Sequence, residues 1–308
     1  MDLPGVRRGY RLAVAVLLAV ACMLPTVAAA DFPRTMVDAL GREVTIPQPP
    51  QRIVSIFASN TELLAALELS DRIVGIEDYT RYPPGIRDGR AIVGGRLGFS
   101  AEAIARLEPD LVVLTPARQA AATLIQPMEA AGIPVVVLLH RDLEQVFENL
   151  RFLGRVTGEE TAAEAAVEAL QARLEHVRAR IADAPPREVY FETGETDRGG
   201  FMTIRPGTYT FDALLAAGGR SVFPGLSGLN QVSGEAVIQA DPEVILVARR
   251  DMDPGGVERR VGWQRTSAVG DGAVHPVDRS LLLIPGPRVV DGVEQMARLL
   301  HPERFPDP

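Results

Sequence analysis

The sequence contains a single cysteine, Cys22, in 308 residues, and it lies in an apolar leader that we expect to be removed. Without it the chain has no thiol, which excludes disulfide bonds, thiol catalysis and zinc sites built on cysteine. Histidine is also scarce, and the four residues His140, His176, His275 and His301 form no HxH or HxxxH pair. His140 and His275 could meet only if the fold brought them together. We therefore expect no preorganised metal site.

The common nucleotide and hydrolase motifs are absent as well. No GxxxxGK(S/T) loop occurs and no GxGxxG follows a predicted strand, so nucleotide hydrolysis and dinucleotide redox chemistry have no support. The nearest approach to a GxSxG elbow is GLSGL, in which Ser227 lies one residue out of frame. The sequence thus favours a binding protein over an enzyme, with no resident cofactor and no catalytic residues.

Basic runs are missing too. Lysine and arginine together number 32 against 40 aspartates and glutamates, which gives a net charge of −8. Loss of the leader, which carries three arginines and one aspartate, would change this to −10. An acidic chain without a basic run is a poor candidate for binding nucleic acid or anionic lipid.

The leader itself has the layout of a secretory signal peptide. Three arginines precede an apolar run at 12–24, and three alanines at 28–30 supply the small residues of a cleavage site. We expect residues 1–30 to be removed and the protein to be exported. Two alternatives stay open. One is a retained anchor, although the run is shorter than the ~20 residues of a membrane span, and the other is lipid attachment at Cys22.

One predicted helix, at 158–184, is much longer than the others. An apolar residue recurs there at steps of four and three, which places one stripe on the helix: Ala163, Val167, Leu170, Leu174, Val177 and Ile181. Pro185-Pro186 ends the helix because proline lacks the N–H that a further turn needs. At about 1.5 Å per residue its length would be roughly 35–40 Å. Such a helix is typical of a spine between two lobes or of a surface coiled-coil arm.

The segments on either side of this helix repeat each other. Residues 100–114, SAEAIARLEPDLVVL, match 233–247, SGEAVIQADPEVILV, without a gap. Each copy predicts a short helix with serine as its N-cap and glutamate in its first turn, then a proline stop and a buried strand. A second echo pairs Thr61-Glu62-Leu-Leu-Ala-Ala with Phe211-Asp212-Ala-Leu-Leu-Ala-Ala. The repeat favours the spine and predicts two similar lobes.

Strands and helices alternate through both lobes, which predicts an α/β fold with mainly parallel sheets. We expect an N-terminal lobe at 31–157 and a C-terminal lobe at 185–308, joined by the helix at 158–184. A hairpin that turns at 38–41 should open the first lobe. A strand at 280–284, a helix at 289–300 and a core position for Trp263 are expected in the second.

With these features the chain resembles the periplasmic binding proteins of ABC importers for iron–siderophore complexes, haem and cobalamin. The matching stretches, within about 38–302, are RIVSIFASNTELLAALEL, IVGIEDYTRYP, VGGRLGFSAEAIARLEPDLVV, TFDALLAAGGRSVF, QVSGEAVIQADPEVILV and PGPRVVDGVEQMARLLHPE. The resemblance implies a ligand cleft between two lobes that move little on binding. It also implies a periplasmic, monomeric protein that serves a permease dimer with its ATPase subunits.

The resemblance further implies one docking carboxylate per lobe, each of which would bind an arginine of the permease. Glu62 and Asp212, at equivalent positions of the second echo, are assigned this role and should be exposed at the two ends of one face. Asp212 stands where the family more often has glutamate. An acid near a helix start is also stabilised by the helix dipole without any such function.

Ten residues in loops after predicted strands are candidates for ligand contacts, because open α/β sheets bind ligands there. They are Tyr79, Arg81, Tyr82, Arg96, Arg118, His140, Arg205, Arg249, Arg250 and Arg288. Aromatic rings and guanidinium groups suit a large, flat or anionic chelate. Arg288 is the best single candidate because prolines and Gly286 fix its loop. The tyrosines could instead pack under Pro83-Pro84, and single arginines could be solvated surface groups.

We therefore expect a carrier that captures a ferric siderophore or a corrinoid and delivers it to an ABC importer. Haem or another metal chelate is the alternative ligand. A sensor or a chelate-processing enzyme that reuses the fold is the alternative from another class, although the sequence offers no obvious acid–base pair for an enzyme.

Overall fold

The computed structural model describes residues 31–115, 120–196, 199–248 and 254–306. Residues 33–308 form one unit by their contacts, in which a hairpin precedes two six-stranded sheets. The hairpin pairs β1 (Arg34–Val37) with β2 (Glu43–Ile46) in antiparallel register, as predicted. The carboxylate of Asp38 accepts from the backbone N–H groups of Leu40 (2.9 Å) and Arg42 (3.1 Å), which fixes the turn.

The first sheet contains six strands, three of which are buried along their whole length. The six strands are β3 (Ile53–Ile56), β4 (Ile73–Glu77), β5 (Ala91–Gly95), β6 (Gly98–Phe99), β7 (Leu111–Leu114) and β8 (Val135–Val137). Their order is β6-β5-β4-β3-β7-β8, and every pairing except β5–β6 is parallel. Apolar runs of Val, Ile and Leu suit strands that are covered on both sides.

Five helices follow or connect these strands. They are α1 (Ala58–Ala66), α2 (Ala101–Ala105), α3 (Ala120–Ala130), α4 (Glu144–Thr157) and α5 (Glu160–Ile181). A 3₁₀ turn at Ser70–Arg72 precedes β4. Helix α1 begins at Ala58, so Ser59, Asn60 and Thr61 are all helical residues and none of them is its N-cap. Glu62 consequently lies in the second turn of α1.

The second sheet repeats the parallel part of the first. Its strands are β9 (Arg187–Glu195), β10 (Phe201–Thr203), β11 (Gly219–Ser221), β12 (Gln231–Val232), β13 (Val244–Val247) and β14 (Val274–Pro276). The parallel order β11-β9-β13-β14 corresponds to β4-β3-β7-β8, while β10 and β12 add an antiparallel edge. The two lobes that the repeat predicted are therefore built on the same parallel core.

The helices of the second lobe include the last long helix of the chain. They are α6 (Tyr209–Ala216), α7 (Gly234–Ala240), α8 (Pro254–Glu258), α9 (Ser267–Gly270), α10 (Arg279–Leu282) and α11 (Val289–Leu300), with 3₁₀ turns at Trp263–Arg265 and Pro302–Arg304. The strand predicted at 280–284 is wrong, since the segment begins with α10. Asp278 caps this helix by accepting from the N–H of Ser280 at 2.7 Å.

Helix α5 is the spine of the molecule. Its predicted stripe is buried except for Ile181, which is partly exposed, and it packs against α4 of the first lobe and against α6 and α11 of the second. Contact with both lobes is the arrangement expected of a spine and not of a free arm. The lobe limits at 31–157 and 185–308 remain a prediction.

The repeat has the local structure that its sequence predicted. Ser100 accepts from the N–H of Ala103 (3.1 Å), and Ser233 accepts from the N–H of Ala236 (3.2 Å). Trp263 is 2% exposed and packs edge-on against Phe201 and Tyr190, so its core position is confirmed. Across the described ranges, no helix is both long enough and apolar enough to cross a membrane.

Candidate ligand-binding site

A cavity of about 400 Å³ lies where the two lobes face each other. Residues at the carboxyl ends of parallel strands line it on the first-lobe side, among them Phe57, Glu77, Tyr79, Arg96 and Thr115. Leu283 and Ile284 line it on the second-lobe side. This is the edge at which parallel α/β sheets bind ligands.

A second cavity of about 340 Å³ continues the cleft along the second lobe. Leu283 lines both cavities, which makes them neighbours. Arg205, Tyr209, Asn230 and Arg279 are polar residues of this wall. Burial raises the pKa of Tyr209 to about 12, so its hydroxyl stays protonated and can donate a hydrogen bond at neutral pH.

A buried carboxylate lies at the floor of the first cavity. Phe57 follows β3 with a φ of 98° and caps α1 without a side-chain hydrogen bond. Instead, Oε1 of Glu77, which is 6% exposed, accepts from the N–H of Ala58 at 2.8 Å. Burial raises the pKa of Glu77, while the hydrogen bond from Ala58 acts in the opposite direction. The positive end of α1 is thus occupied by an acid of the protein itself.

Three of the ten predicted ligand-binding residues line the two cavities. Tyr79 and Arg96 line the first and Arg205 lines the second, and all three are exposed. Arg118, Arg249 and Arg250 lie outside the described residues. The remaining four make contacts within the protein.

Arg81 is held by backbone carbonyls instead of facing the cavity. Its guanidinium donates to the carbonyl oxygens of Asp78 and of Thr80, the latter at 2.9 Å. Arg87 donates to the same two carbonyls and to the carboxylate of Asp78. Both guanidiniums therefore stabilise the loop that carries Tyr79, and neither lines the cavity.

Arg288 binds Glu62 in a two-pronged ion pair. Its Nη2 and Nε donate to Oε1 and Oε2 of Glu62 at 2.6 and 3.0 Å. The guanidinium also lies over the ring of Tyr82, 4.0 Å from the centroid, and donates to Ser280 at 3.3 Å. Burial lowers the pKa of Arg288, but the hydrogen bond and negative charge of Glu62 outweigh it and raise the pKa above its ordinary value. Arg288 and Tyr82 are therefore engaged with the protein in this conformation.

The exposure that we predicted for Glu62 is wrong. Glu62 is only 3% exposed, because the loop that carries Arg288 covers it. Burial raises the pKa of Glu62, and the hydrogen bond and charge of Arg288 counteract that rise. In this position its carboxylate is not available to an external partner.

Asp212 is half-buried and also bonds across the lobes. Its Oδ2 accepts from the N–H of Leu143 at 3.3 Å. Burial raises the pKa of Asp212, the bond from Leu143 lowers it, and the nearby charge of Asp142 raises it further. Its predicted place in the first turn of α6 is confirmed, whereas full exposure is wrong.

His140 belongs to a buried polar network. Its Nε2 lies 3.1 Å from the hydroxyls of Ser59 and Thr115 and 3.2 Å from Oδ1 of Asn60. Burial lowers its pKa to about 4, although a hydrogen bond to the backbone carbonyl of Pro285 acts in the opposite direction. The imidazole is consequently neutral at physiological pH. It supports the cavity through Thr115 and does not line it.

A different pair of acids has the exposure expected of a docking pair. Glu102 and Glu235 occupy the same place in the two copies of the repeat, in the first turns of α2 and α7, and both are exposed. Hydrogen bonds from its own backbone and from Ser233 lower the pKa of Glu235, so it is charged at neutral pH.

Several cavity residues are not among the ten predicted ligand contacts. Glu77 could have been predicted from the sequence, since it is an ionisable residue at the end of the otherwise apolar strand IVGIE. Tyr209 and Arg279 could not have been predicted from the sequence, because their approach to the cleft depends on how the second lobe folds. Among the described residues, no group of three or more His, Cys, Asp or Glu side chains could hold a metal ion.

The chain is similar in sequence to substrate-binding components of transporters. It is 28% identical over 279 residues to an ABC transporter substrate-binding lipoprotein of Bacillus subtilis, with 89% of this chain and 87% of that protein covered. It is 29% identical over 294 residues to a cobalamin-binding protein of Halobacterium salinarum, with 89% of this chain and 75% of that protein covered.

The structure resembles that of a periplasmic haem-binding protein from Pseudomonas aeruginosa. The TM-score is 0.70 at 27% sequence identity, and the match covers 84% of this chain and 95% of the other. The model of the periplasmic binding protein family matches residues 53–279, which include both sheets, the spine helix and most of the cleft. The chain therefore belongs to the periplasmic binding protein family, whose members in this comparison are substrate-binding proteins of ABC transporters.

Proposed function

We propose that this protein captures a corrinoid in the cleft between its lobes and delivers it to an ABC importer. The observation that carries the proposal is the cavity lined from both lobes, whose walls are mostly apolar and whose floor holds the carboxylate of Glu77. A ligand in this cavity contacts both lobes at once. No reaction is required for this role, so we infer a carrier and not an enzyme.

The position of Glu77 argues against a strongly anionic ligand. The N-terminus of a helix that ends at a cleft ordinarily attracts anions. Here Glu77 already satisfies the first N–H of α1, so a ligand carboxylate or catecholate at the floor would meet a negative charge. Corrinoids carry amide groups around their ring, and amide N–H groups are donors that a carboxylate accepts.

The rim of the cleft has the opposite charge. Arg96 at the first cavity and Arg205 at the second are exposed guanidiniums, and the chain contains no lysine. A guanidinium binds phosphate in two-pronged geometry. The single phosphodiester of a cobalamin would find such a partner at the rim, while its amides face Glu77. The cobalamin-binding relative supports the same ligand class.

Calorimetric titration of the purified protein with cyanocobalamin, haemin and a ferric tris(catecholate) tests this proposal. We expect 1:1 binding of cyanocobalamin at least about tenfold tighter than that of the two anionic chelates, a difference of roughly 1.4 kcal/mol. Glu77→Gln keeps an acceptor for the N–H of Ala58 but removes the negative charge. It should therefore reduce the difference in affinity between cyanocobalamin and the two anionic chelates. Glu175→Gln, an exposed change on the spine helix, is the matched control. Tighter binding of haemin or of the ferric chelate would contradict the corrinoid assignment.

We further propose that Glu102 and Glu235, and not Glu62 and Asp212, dock on the permease. They are equivalent, exposed and charged, one on each lobe, as a two-fold permease dimer requires of a two-lobed partner. Arg106, which contacts Glu102 at 3.2 Å, is itself exposed and can be displaced.

A further inference from the structure

The loops that precede the last helix of each lobe cross into the opposite lobe. We call residues 140–143, before α4, the first crossing loop, and residues 285–288, before α11, the second crossing loop. His140 and Pro285 are the first residues of these loops, and the backbone of Pro285 lies close enough to the imidazole to act on its pKa. The two loops therefore touch at corresponding positions.

Glu62 and Asp212, which are equivalent in the two lobes, each bind the crossing loop of the opposite lobe. Glu62, on α1 of the first lobe, binds Arg288, the residue before α11 of the second lobe. Asp212, on α6 of the second lobe, binds the N–H of Leu143, the residue before α4 of the first lobe. An interface in which each half gives the same contact to the other is the signature of a two-fold axis. The lobes thus meet about an internal pseudo-two-fold axis that passes near His140 and Pro285.

The two halves of this interface differ greatly in strength. On one side a partly buried guanidinium and a buried carboxylate form two hydrogen bonds, and Tyr82 covers the guanidinium. On the other side a half-buried carboxylate accepts one hydrogen bond of 3.3 Å. Charge-assisted two-pronged pairs are much stronger than single bonds to a neutral N–H. Removing one partner of a buried pair also leaves a buried charge without compensation.

The stronger half of the interface, the pair of Glu62 and Arg288, is packed so closely that only glycine fits at position 286. A Cβ atom at Gly286 would lie 2.7 Å from Oε2 of Glu62. The interface also lies next to the ligand cavity. Phe57 stacks on His140, and Ile284, next to Pro285, lines the cavity from the second lobe. A change in the interface would therefore change the width of the cleft.

We propose that Glu62 and Arg288 are positioning residues for ligand capture, which form a clasp that holds the two lobes at the separation the ligand requires. The clasp acts through the lobes and touches no ligand in this conformation. This inference does not depend on which ligand is bound, because it concerns the distance between the lobes.

The test is the distance between spin labels on the two lobes, measured by pulsed electron paramagnetic resonance. Leu97→Cys and Leu229→Cys provide exposed label sites beside the cleft, one on each lobe, in a Cys22→Ser background that has no other cysteine. We expect a single narrow distribution for the otherwise unchanged protein. Glu62→Gln should broaden it and shift it to longer distances.

Two controls separate the clasp from a general loss of stability. Arg173→Gln removes a two-pronged pair between α5 and Glu294 of α11, with both bonds at 2.9 Å, but this pair does not cross the cleft. Asp212→Asn keeps an acceptor for Leu143. Both variants should give the narrow distribution of the parent.

Further variants keep the test decisive if Glu62→Gln does not fold. Gly286→Ala retains both charges and pushes a methyl group against Glu62, and Arg288→Lys retains the charge but loses the two-pronged geometry. Each should broaden the distribution in the same direction. A folded Glu62→Gln, Gly286→Ala or Arg288→Lys protein with the parent's distribution would overturn the proposal.

Discussion

At the scale of one residue, His140 is a buried side chain that lies close to groups of both lobes. Its imidazole contacts Ser59, Asn60 and Thr115 of the first lobe and Pro285 of the second. All of these partners are neutral groups, and the effect of Pro285, which favours the imidazolium, is smaller than the cost of burying that charge. The network consequently requires the neutral ring.

The pKa of about 4 for His140 predicts a loss of stability in acid. Between the ordinary pKa of 6.5 and about 4, the unfolded chain binds a proton at this residue and the native protein does not, so the free energy of unfolding falls as pH falls. From pH 7 to 4.5 the loss from this group is about 2–3 kcal/mol. Urea denaturation at both pH values should show that His140→Gln loses less stability than the parent. Equal losses in the two proteins would contradict the assignment.

The roles of single residues were the hardest to predict from the sequence. The sequence correctly predicts that Glu62 and Asp212 are equivalent. Their partners, Arg288 and Leu143, are distant in the sequence and belong to the opposite lobe. Sequence spacing fixes which residues share a helix face but not which face meets a second lobe. The exposed acids Glu102 and Glu235 lie in the other repeat, at 100–114 and 233–247, where their equivalence is also visible in the sequence.

At the scale of elements, close packing of α4 on α5 joins the first lobe to the spine. A Cβ atom at Gly154 would lie 2.6 Å from Cβ of Ala163 and 3.2 Å from the carbonyl of Glu159. The absence of a side chain on α4 thus sets the approach of the two helices. The turn between them, at Gly158, has a φ of 81°, which favours glycine.

Gly154→Ala should therefore destabilise the protein although alanine is the better helix former. Overpacking of this contact should lower the free energy of unfolding by about 1–3 kcal/mol, measured by urea denaturation. Gly270→Ala is the matched control, since no atom lies within 4 Å of the added Cβ. It should be neutral or stabilising by up to about 1 kcal/mol. An unchanged Gly154→Ala protein would show that the helices can separate freely.

Helices with a clear hydrophobic periodicity or an N-cap residue were predicted well, whereas short apolar runs were not. The spine at 158–184 is observed as Glu160–Ile181, and the helix predicted at 289–300 as Val289–Leu300. The run Ser280–Ile284 was predicted as a strand, but the cap at Asp278 makes it begin as a helix. Four apolar residues satisfy either pattern, so only the cap distinguished them.

At the scale of the whole molecule, the proposed ligand cleft and the proposed docking acids lie on different parts of the two lobes. The cleft lies at the strand ends between the lobes, while Glu102 and Glu235 lie on the first turns of α2 and α7. The sequence repeat predicted this duplication, because each lobe could be compared with the other. The width of the cleft was not predictable, since it depends on the interface that the crossing loops form.

Replacing Glu102 and Glu235 together with alanine should abolish transport without weakening ligand binding. Loss of the two carboxylates removes the ionic anchors for the permease, whereas each helix loses only about 0.3–1 kcal/mol of dipole stabilisation. Uptake of radiolabelled cyanocobalamin into vesicles that contain the cognate permease and ATPase subunits measures the effect. Glu168→Ala with Glu175→Ala, two exposed acids of the spine, is the control pair. Full uptake with the Glu102 and Glu235 variant would refute this docking pair.

The central claim, that a corrinoid binds between the lobes, is tested most directly by truncating one wall residue on each side. Calorimetric titration with cyanocobalamin should show that Tyr79→Ala on the first lobe and Leu283→Ala on the second each weaken binding. The expected loss is about 1–2 kcal/mol per variant, since each removes apolar surface that the ligand covers. Val261→Ala, which is exposed outside the cleft, should bind like the parent. Unchanged affinity in either wall variant, with the fold intact, would contradict a ligand held by both lobes.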